Sequence, residues 1–225
     1  MVLALETSTK NCSVALIEHS TVCAQKEAHS DQYIHSESLH LFMQDVLQEV
    51  AVAPADLKAI AVGAGPGSYT GLRIGVSAAK AMAYSLQIPL ISATGLELLI
   101  AAALHQFQFP PKAMLHPMID ARRMEVYTAA HKLGSKDELS IAAQIIDENS
   151  YQEPVEHFFF GDGASKFEET LKAQNHHFLD LTYPSASHFQ YLIADKINNE
   201  QFEDVAYFEP FYGKDFQAIK AKSVF

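Results

Sequence analysis

The sequence predicts an α/β protein built as two lobes, and three observations carry that prediction. Short apolar runs such as Val2–Leu5 alternate with longer segments of helical spacing. Residues 59–86, AIAVGAGPGSYTGLRIGVSAAKAMAYSL, place an apolar strand, a glycine loop and a helix in immediate succession. Phe109-Pro110-Pro111-Lys112 then interrupts the pattern, because two prolines stop a helix and stiffen a connector. This divides the chain into an N-terminal lobe, 1–108, a smaller C-terminal lobe, 109–204, and a tail, 205–225.

Taken in order, Val2–Leu5 is a continuous apolar run, as expected of a strand covered on both faces. A polar turn, Glu6 to Asn11, leads to two further strands, Cys12–Ile17 and Val22–Glu27. Between Ile34 and Val50, the residues Leu39, Phe42, Met43, Val46, Leu47 and Val50 keep helical spacing. After the stretch 59–86 come a strand at Ile88–Ile91 and an alanine-rich helix at Gly95–Leu104, so the first half reads βββαβαβα. Beyond the prolines, Met114–Ile119, Met124–His131 and Leu139–Ile146 read as strands. Phe158–Phe160 follows as a strand, then a helix from Ala164 to Ala173, a strand at Phe178–Leu181 and a helix from Ser187 to Asn199. The aromatic tail (Tyr207, Phe208, Phe211, Tyr212, Phe216) is expected to dock on a lobe.

Gly63, Gly65, Gly67 and Gly71 stand where a strand hands over to a helix, an order that aims N–H groups and a helix dipole at an anion. A phosphate-facing or partner-facing loop is therefore the first hypothesis for Gly65, Pro66, Gly67, Ser68, Tyr69, Thr70, Gly71 and Arg73. Standard motifs do not fit. The dinucleotide fingerprint needs glycine where Ser68 stands, a Walker loop needs a lysine that is absent, and a nucleophile elbow needs glycine at Pro66. Ser68, Tyr69 and Thr70 read more simply as turn and helix-cap groups.

Within the helix, Gly71, Gly75, Ala79 and Ala83 recur every four residues and bare the backbone along one ridge. Glycine inside a helix costs about 1 kcal/mol against alanine, so close approach of another element must offset it. That element is either the chain's own sheet or another protein.

Composition bounds the function. With 27 acidic against 16 basic residues the 225-residue chain carries a formal charge of −11. Nucleic-acid affinity rests on neutralising phosphates, so the chain is not expected to hold RNA alone. Cys12 and Cys23 read as buried thiols rather than a disulfide framework, and no signal peptide or membrane-length run is visible, which points to the cytoplasm. No metal is expected: His35 and His40 lie about 140° apart around a helix, and His176-His177 has no acid or thiol at ligand spacing. Asp120-Ala121-Arg122-Arg123-Met124-Glu125 is a charged hairpin in which an arginine can pair with Asp120 or Glu125, or reach an anion or partner.

GAGPGSYTGLRIG, the N-terminal LALETST and the later IDARRMEVY resemble the TsaB (YeaZ) family of bacterial tRNA threonylcarbamoyladenosine biosynthesis proteins. The likeness extends over most of the chain and is strongest in residues 2–95; in the hairpin the matching residues are Asp120, Arg122, Glu125 and Tyr127. It implies the two-lobed fold of actin-like, sugar-kinase and Hsp70 ATPases (ASKHA). In those ATPases Glu6-Thr7-Ser8-Thr9 would cradle phosphate and Gly161-Asp162-Gly163-Ala164 would pack on adenosine, although each also reads as a plain turn. It implies a non-catalytic role beside the TsaD paralogue, which transfers threonylcarbamoyl to an adenosine next to the anticodon of tRNAs reading ANN codons. The TsaE ATPase is a further partner, tRNA is met only through the complex, and ATP or ADP is a candidate at the joint with TsaD. Pairing uses N-terminal helices, and the expected docking surface is Leu39, Phe42, Met43 and Val46 with Gly71, Gly75, Ala79 and Ala83. A homodimer through the same ridge is a further expectation.

The sequence departs from the family at Glu6, where active relatives carry Asp, and at Tyr212-Gly213-Lys214, where a Leu-Arg pair commonly follows the tyrosine. The competing reading is an ATP-dependent phosphotransferase of the same fold, which requires a catalytic Asp and a full adenosine loop that the sequence does not display.

Overall fold

A computed structural model describes residues 1–30, 35–135 and 137–214. Ile34 and Phe216, named above, lie outside the described residues.

The first sheet is built around β1 (Val2–Glu6), with β2 (Asn11–Glu18) antiparallel on one side and β4 (Ala59–Gly63) parallel on the other. β3 (Thr21–His29) and β5 (Leu90–Ala93) flank them, giving the order β3-β2-β1-β4-β5. Alternate residues of a strand face opposite sides, and here both sides are covered, so the apolar run is continuous. Leu3 and Leu5 pack with Leu39, Met43, Val46, Val76 and Ala79 of α1 (His35–Glu49) and α2 (Tyr69–Leu86). Val2 and Ala4 pack on the other side with Leu98, Phe189 and Ile193.

Leu98 belongs to α3 (Gly95–Gln106), started by a capping box in which Thr94 and Glu97 satisfy each other's backbone N–H groups. α3 lies between two sheets: Leu98 faces the first, while Leu96, Leu99 and Ile100 face Leu115, Ile119 and Phe160 of the second. Burial on both sides explains a helix that is apolar nearly all round.

The second sheet has the order β11-β10-β6-β7-β9, formed by β6 (Met114–Asp120), β7 (Glu125–Thr128), β9 (Ala142–Ile145), β10 (His157–Phe160) and β11 (His176–Phe178). The run expected at Met124–His131 is broken, and its end forms β8 (His131–Lys132), which returns to pair with the start of β6. The strand expected at Phe178–Leu181 sits earlier, at β11.

Two expected helices are corrected. After Gly163 only a 3-10 turn, Ala164–Phe167, forms; the N–H groups of Thr170 and Leu171 both converge on the Phe167 carbonyl and close the segment. The helix expected at Ser187–Asn199 splits at Leu192 into a 3-10 turn, Ala186–Tyr191, and a short α4 (Ile193–Asn198). These pieces cross back to the first sheet, where Ala186, Phe189 and Ile193 complete its core. Cys12 is buried, but Cys23 is exposed on the outward side of the edge strand β3, against the expectation of two buried thiols.

Candidate functional site

The glycine loop joins the end of β4 to the start of α2 and packs on the turn that follows β1. Ser68 caps α2: its Oγ accepts the Gly71 N–H at 3.2 Å, and its carbonyl accepts the Leu72 N–H at 2.8 Å. Its own N–H goes to the Ser8 carbonyl at 2.6 Å. The loop lies so close to the β1–β2 turn that a Cβ at Gly67 would fall 2.1 Å from the Ser8 carbonyl oxygen. Gly65, at φ +89°, meets the Phe211 carbonyl in the same way, and the Phe211 N–H bonds the Ala64 carbonyl at 2.8 Å. These amides and approaches are taken up by the chain itself.

Glu6 stands where an ATPase of this fold would present an acid. Its carboxyl is fully buried, with Oε1 accepting the Ser8 N–H at 2.6 Å. Oε2 has no hydrogen-bond partner among the described residues and is pressed against the Cα of Gly63. Burial raises its pKa, and bonds from Ser8 and Thr7 only partly oppose that. Burial disfavours its charged form, and the carboxyl is turned onto Ser8 and Gly63 rather than towards a phosphate. The loop and this acid, as folded here, do not fit a nucleotide's phosphates.

The small-residue ridge is filled from inside. Thr7 Oγ1 donates to the Gly71 carbonyl at 2.8 Å, a Cβ at Gly75 would lie 2.2 Å from that oxygen, and Ala79 and Ala83 are buried in the core. Leu39, Met43 and Val46 are buried beside them, and Phe42 is partly so. Of the docking surface expected from sequence, these positions are occupied by the chain's own β1–β2 turn and sheet. The sides that α1 and α2 leave open carry Leu41, 59% exposed, Tyr84, 79% exposed, and Tyr69, Thr70 and Arg73.

The charged hairpin also differs from expectation. Asp120 pairs with Lys166 and Glu125 with Lys214, so neither acid takes an arginine. Lys166 further donates to the Arg123 carbonyl at 2.9 Å, and Lys214 to the Ala121 carbonyl at 3.2 Å. Arg122 and Arg123 have φ of +66° and +53°, a conformation that costs a residue with a Cβ about 1–2 kcal/mol. Asp162 lies against this loop, its Oδ1 accepting the Asp120 N–H at 3.0 Å, and burial pushes its carboxyl up to about 6. Its flanking glycines close a turn onto β6, with the Gly163 N–H on the Met118 carbonyl at 3.0 Å.

The tail joins hairpin and loop. Tyr212 lies 4.8 Å, ring to ring, from Tyr69, its carbonyl accepts the Tyr127 hydroxyl at 3.4 Å, and Lys214 sits over the Tyr127 ring. Lys166 and the tail residues were not readable as site members, since nothing in their local sequence signals a contact so far along the chain. Among the described residues no group of three or more His, Cys, Asp or Glu is placed to hold a metal, and no helix is long and apolar enough to cross a membrane.

Residues 24–219 match the family model described as TsaD, tRNA N6-adenosine threonylcarbamoyltransferase. The tRNA threonylcarbamoyladenosine biosynthesis protein TsaB of Escherichia coli is 31% identical over 169 residues, 72% of this chain and 71% of that protein. The chain belongs to the TsaB (YeaZ) family. Bacillus subtilis TsaB is 37% identical over 131 residues, which cover 58% of this chain and about half, 55%, of that relative. The solved YeaZ from Pseudomonas aeruginosa superposes with a TM-score of 0.75 at 26% identity, covering 94% of this chain and 98% of that one. The fold is accordingly the two-lobed ASKHA fold, with a YeaZ-like course throughout. Within that fold, the glycine loop and the β1–β2 turn are locked together.

Proposed function

We propose that this chain is the non-catalytic partner subunit of a TsaD-type threonylcarbamoyl transferase. In that role it is required to form threonylcarbamoyladenosine next to the anticodon of tRNAs reading ANN codons. The names of its relatives support the pathway, and one structural observation supports the non-catalytic part: the glycine loop is closed on the chain's own Ser8, while Glu6 is buried against Gly63. A loop packed in this way serves as a rigid base for α2 rather than as a phosphate cradle.

The partner face is assigned to the outward sides of α1 and α2, around Leu41, Tyr69, Arg73 and Tyr84, with Phe42 at its border. Large apolar side chains left in water on neighbouring helices favour association. The same face serves a second copy when TsaD is absent. ATP or ADP belongs at the joint with TsaD, the TsaE ATPase joins the assembly, and tRNA is met in the complex, in the cytoplasm.

The test is co-purification with TsaD followed by a tRNA modification assay on the assembly with and without this chain. Modification should depend on the chain, and the chain alone should not turn over ATP. Steady hydrolysis of ATP by the isolated chain would instead favour the phosphotransferase.

A further inference from the structure

The acids nearest the β6–β7 hairpin are already neutralised. Asp120 is held by Lys166 and also accepts the Arg122 N–H at 2.6 Å, and Glu125 is held by Lys214. Asp162, the neighbouring carboxyl, accepts the Asp120 N–H and faces Lys166 and Lys10. Arg122 and Arg123 are therefore left as uncompensated positive charge: both are exposed, and neither forms an ion pair among the described residues.

The backbone argues in the same direction. Both arginines sit in the left-handed region, where glycine or asparagine would be accommodated at lower cost. Lys166 and Lys214 grip the carbonyls of Ala121, Arg123 and Glu125, so the loop is clamped in this shape from beneath. The clamp uses two lysines to present two arginines outward, beside Met124, 55% exposed at the tip. In a chain with a formal charge of −11, a locally cationic and exposed tip is an exception that suits an anionic ligand.

We propose that Arg122 and Arg123 contact phosphate oxygens of the tRNA backbone when the chain sits in its assembly. Guanidinium groups pair bidentately with phosphate, and two such contacts are too few to hold RNA alone, in keeping with the acidic composition. The assignment rests on the function proposed above.

The test measures tRNA binding by the assembled complex across a salt series, with the wild-type chain and with R122A/R123A, R122K/R123K and R122G/R123G. The Ala and Gly pairs should bind about tenfold more weakly at low salt, and the slope of log affinity against log salt should fall by about one to two. The Lys pair should keep most of the slope. The Gly pair, relieved of the left-handed penalty, should unfold no earlier than wild type, which separates loss of contact from loss of fold. Unchanged RNA affinity and slope in the Ala and Gly pairs would overturn the assignment while leaving the proposed function intact. Loss of TsaD binding by those pairs would move the arginines to a protein face, and altered ATP binding with unaltered RNA binding would move them to a nucleotide; either result overturns it. A wild-type complex that neither binds nor modifies tRNA would remove the proposed function and this assignment together.

Discussion

The Thr7 hydroxyl lies 2.8 Å from the carbonyl of Gly71 and occupies the space that a side chain at Gly75 would need. Thr7 thus ties the β1–β2 turn to the first two turns of α2 and explains both helical glycines: a Cβ at Gly71 would lie 2.1 Å from its carbonyl oxygen, and one at Gly75 2.2 Å from its hydroxyl. A buried hydrogen bond of this kind is worth about 1 kcal/mol.

Gly75→Val should therefore destabilise the isolated chain by about 1–3 kcal/mol, the usual cost of forcing bulk into a packed core, despite the helix propensity it gains. Gly75→Ala should also destabilise, by less. Urea denaturation of the purified chain measures both. A stable Gly75→Val chain that has lost only its partner would restore the ridge as a docking face.

On the assigned face, Leu41→Glu and Tyr84→Glu should abolish co-purification with TsaD while shifting the melting temperature by no more than about 2 °C. Both side chains are mostly exposed, and exposed substitutions usually stay within about 0.5 kcal/mol. Retained pairing in both variants would rule out this face.

The second sheet carries a pH-sensitive core. His116 donates or accepts at 2.9 Å with His157, and burial together with the neighbouring His157 and His176 lowers its pKa to about 3. His188, in the turn that packs on the first sheet, is lowered to about 4 by burial. A histidine depressed in the folded state takes its proton more readily when unfolded. Its stabilisation is complete above the ordinary value of 6.5 and is lost as pH falls through it, by about 1.4 kcal/mol per pH unit. Glu6 and Asp162, raised by burial, act in the opposite sense over part of that window. His116→Phe isolates the histidine, since a phenyl ring still stacks on Phe159 and Tyr151. The variant should be the less stable at pH 7 and should close that gap as pH falls to 5 in urea titrations. A gap independent of pH would contradict the assignment.

The two thiols should differ sharply. Burial, with the charge of Glu6 adding, pushes Cys12 up to about 12, whereas Cys23 is exposed. A thiol reagent at neutral pH should label Cys23 in the native chain and reach Cys12 only in denaturant. Labelling of both at equal rates would mean that β2 opens readily.

Tail docking offers a final measurement. Lys80 Nζ donates to the carbonyls of Ala206 and Phe208, the second at 2.8 Å. Lys80→Met keeps the apolar stem and removes the charge, and should expose residues 203–214 to proteolysis with a loss of about 1–3 kcal/mol. Cleavage rates equal to wild type would show that the other contacts, among them Phe208 in the core and Phe211 on Ala64, hold the tail without Lys80.

Periodicity and punctuation by themselves determined most of the first half of this protein. Uninterrupted apolar runs at Val2–Leu5 and Ala59–Val62 read as strands covered on both faces, and Ser68 before a segment interrupted only by Gly71 and Gly75 marks a helix start, because these are local consequences of side-chain spacing and capping. The second half was less legible: its helices are cut to single turns by bonds such as those converging on the Phe167 carbonyl, and short elements leave little periodic signal. Only the tertiary structure decided which way the glycine ridge faces, since a bare helical stripe suits the chain's own turn and a foreign helix equally well. It alone decided that Lys166 and Lys214, rather than the adjacent arginines, take Asp120 and Glu125. Charge pairing depends on distance in space, and residues far apart in sequence meet only when two sheets and a returning tail have been packed around α3 and the glycine loop.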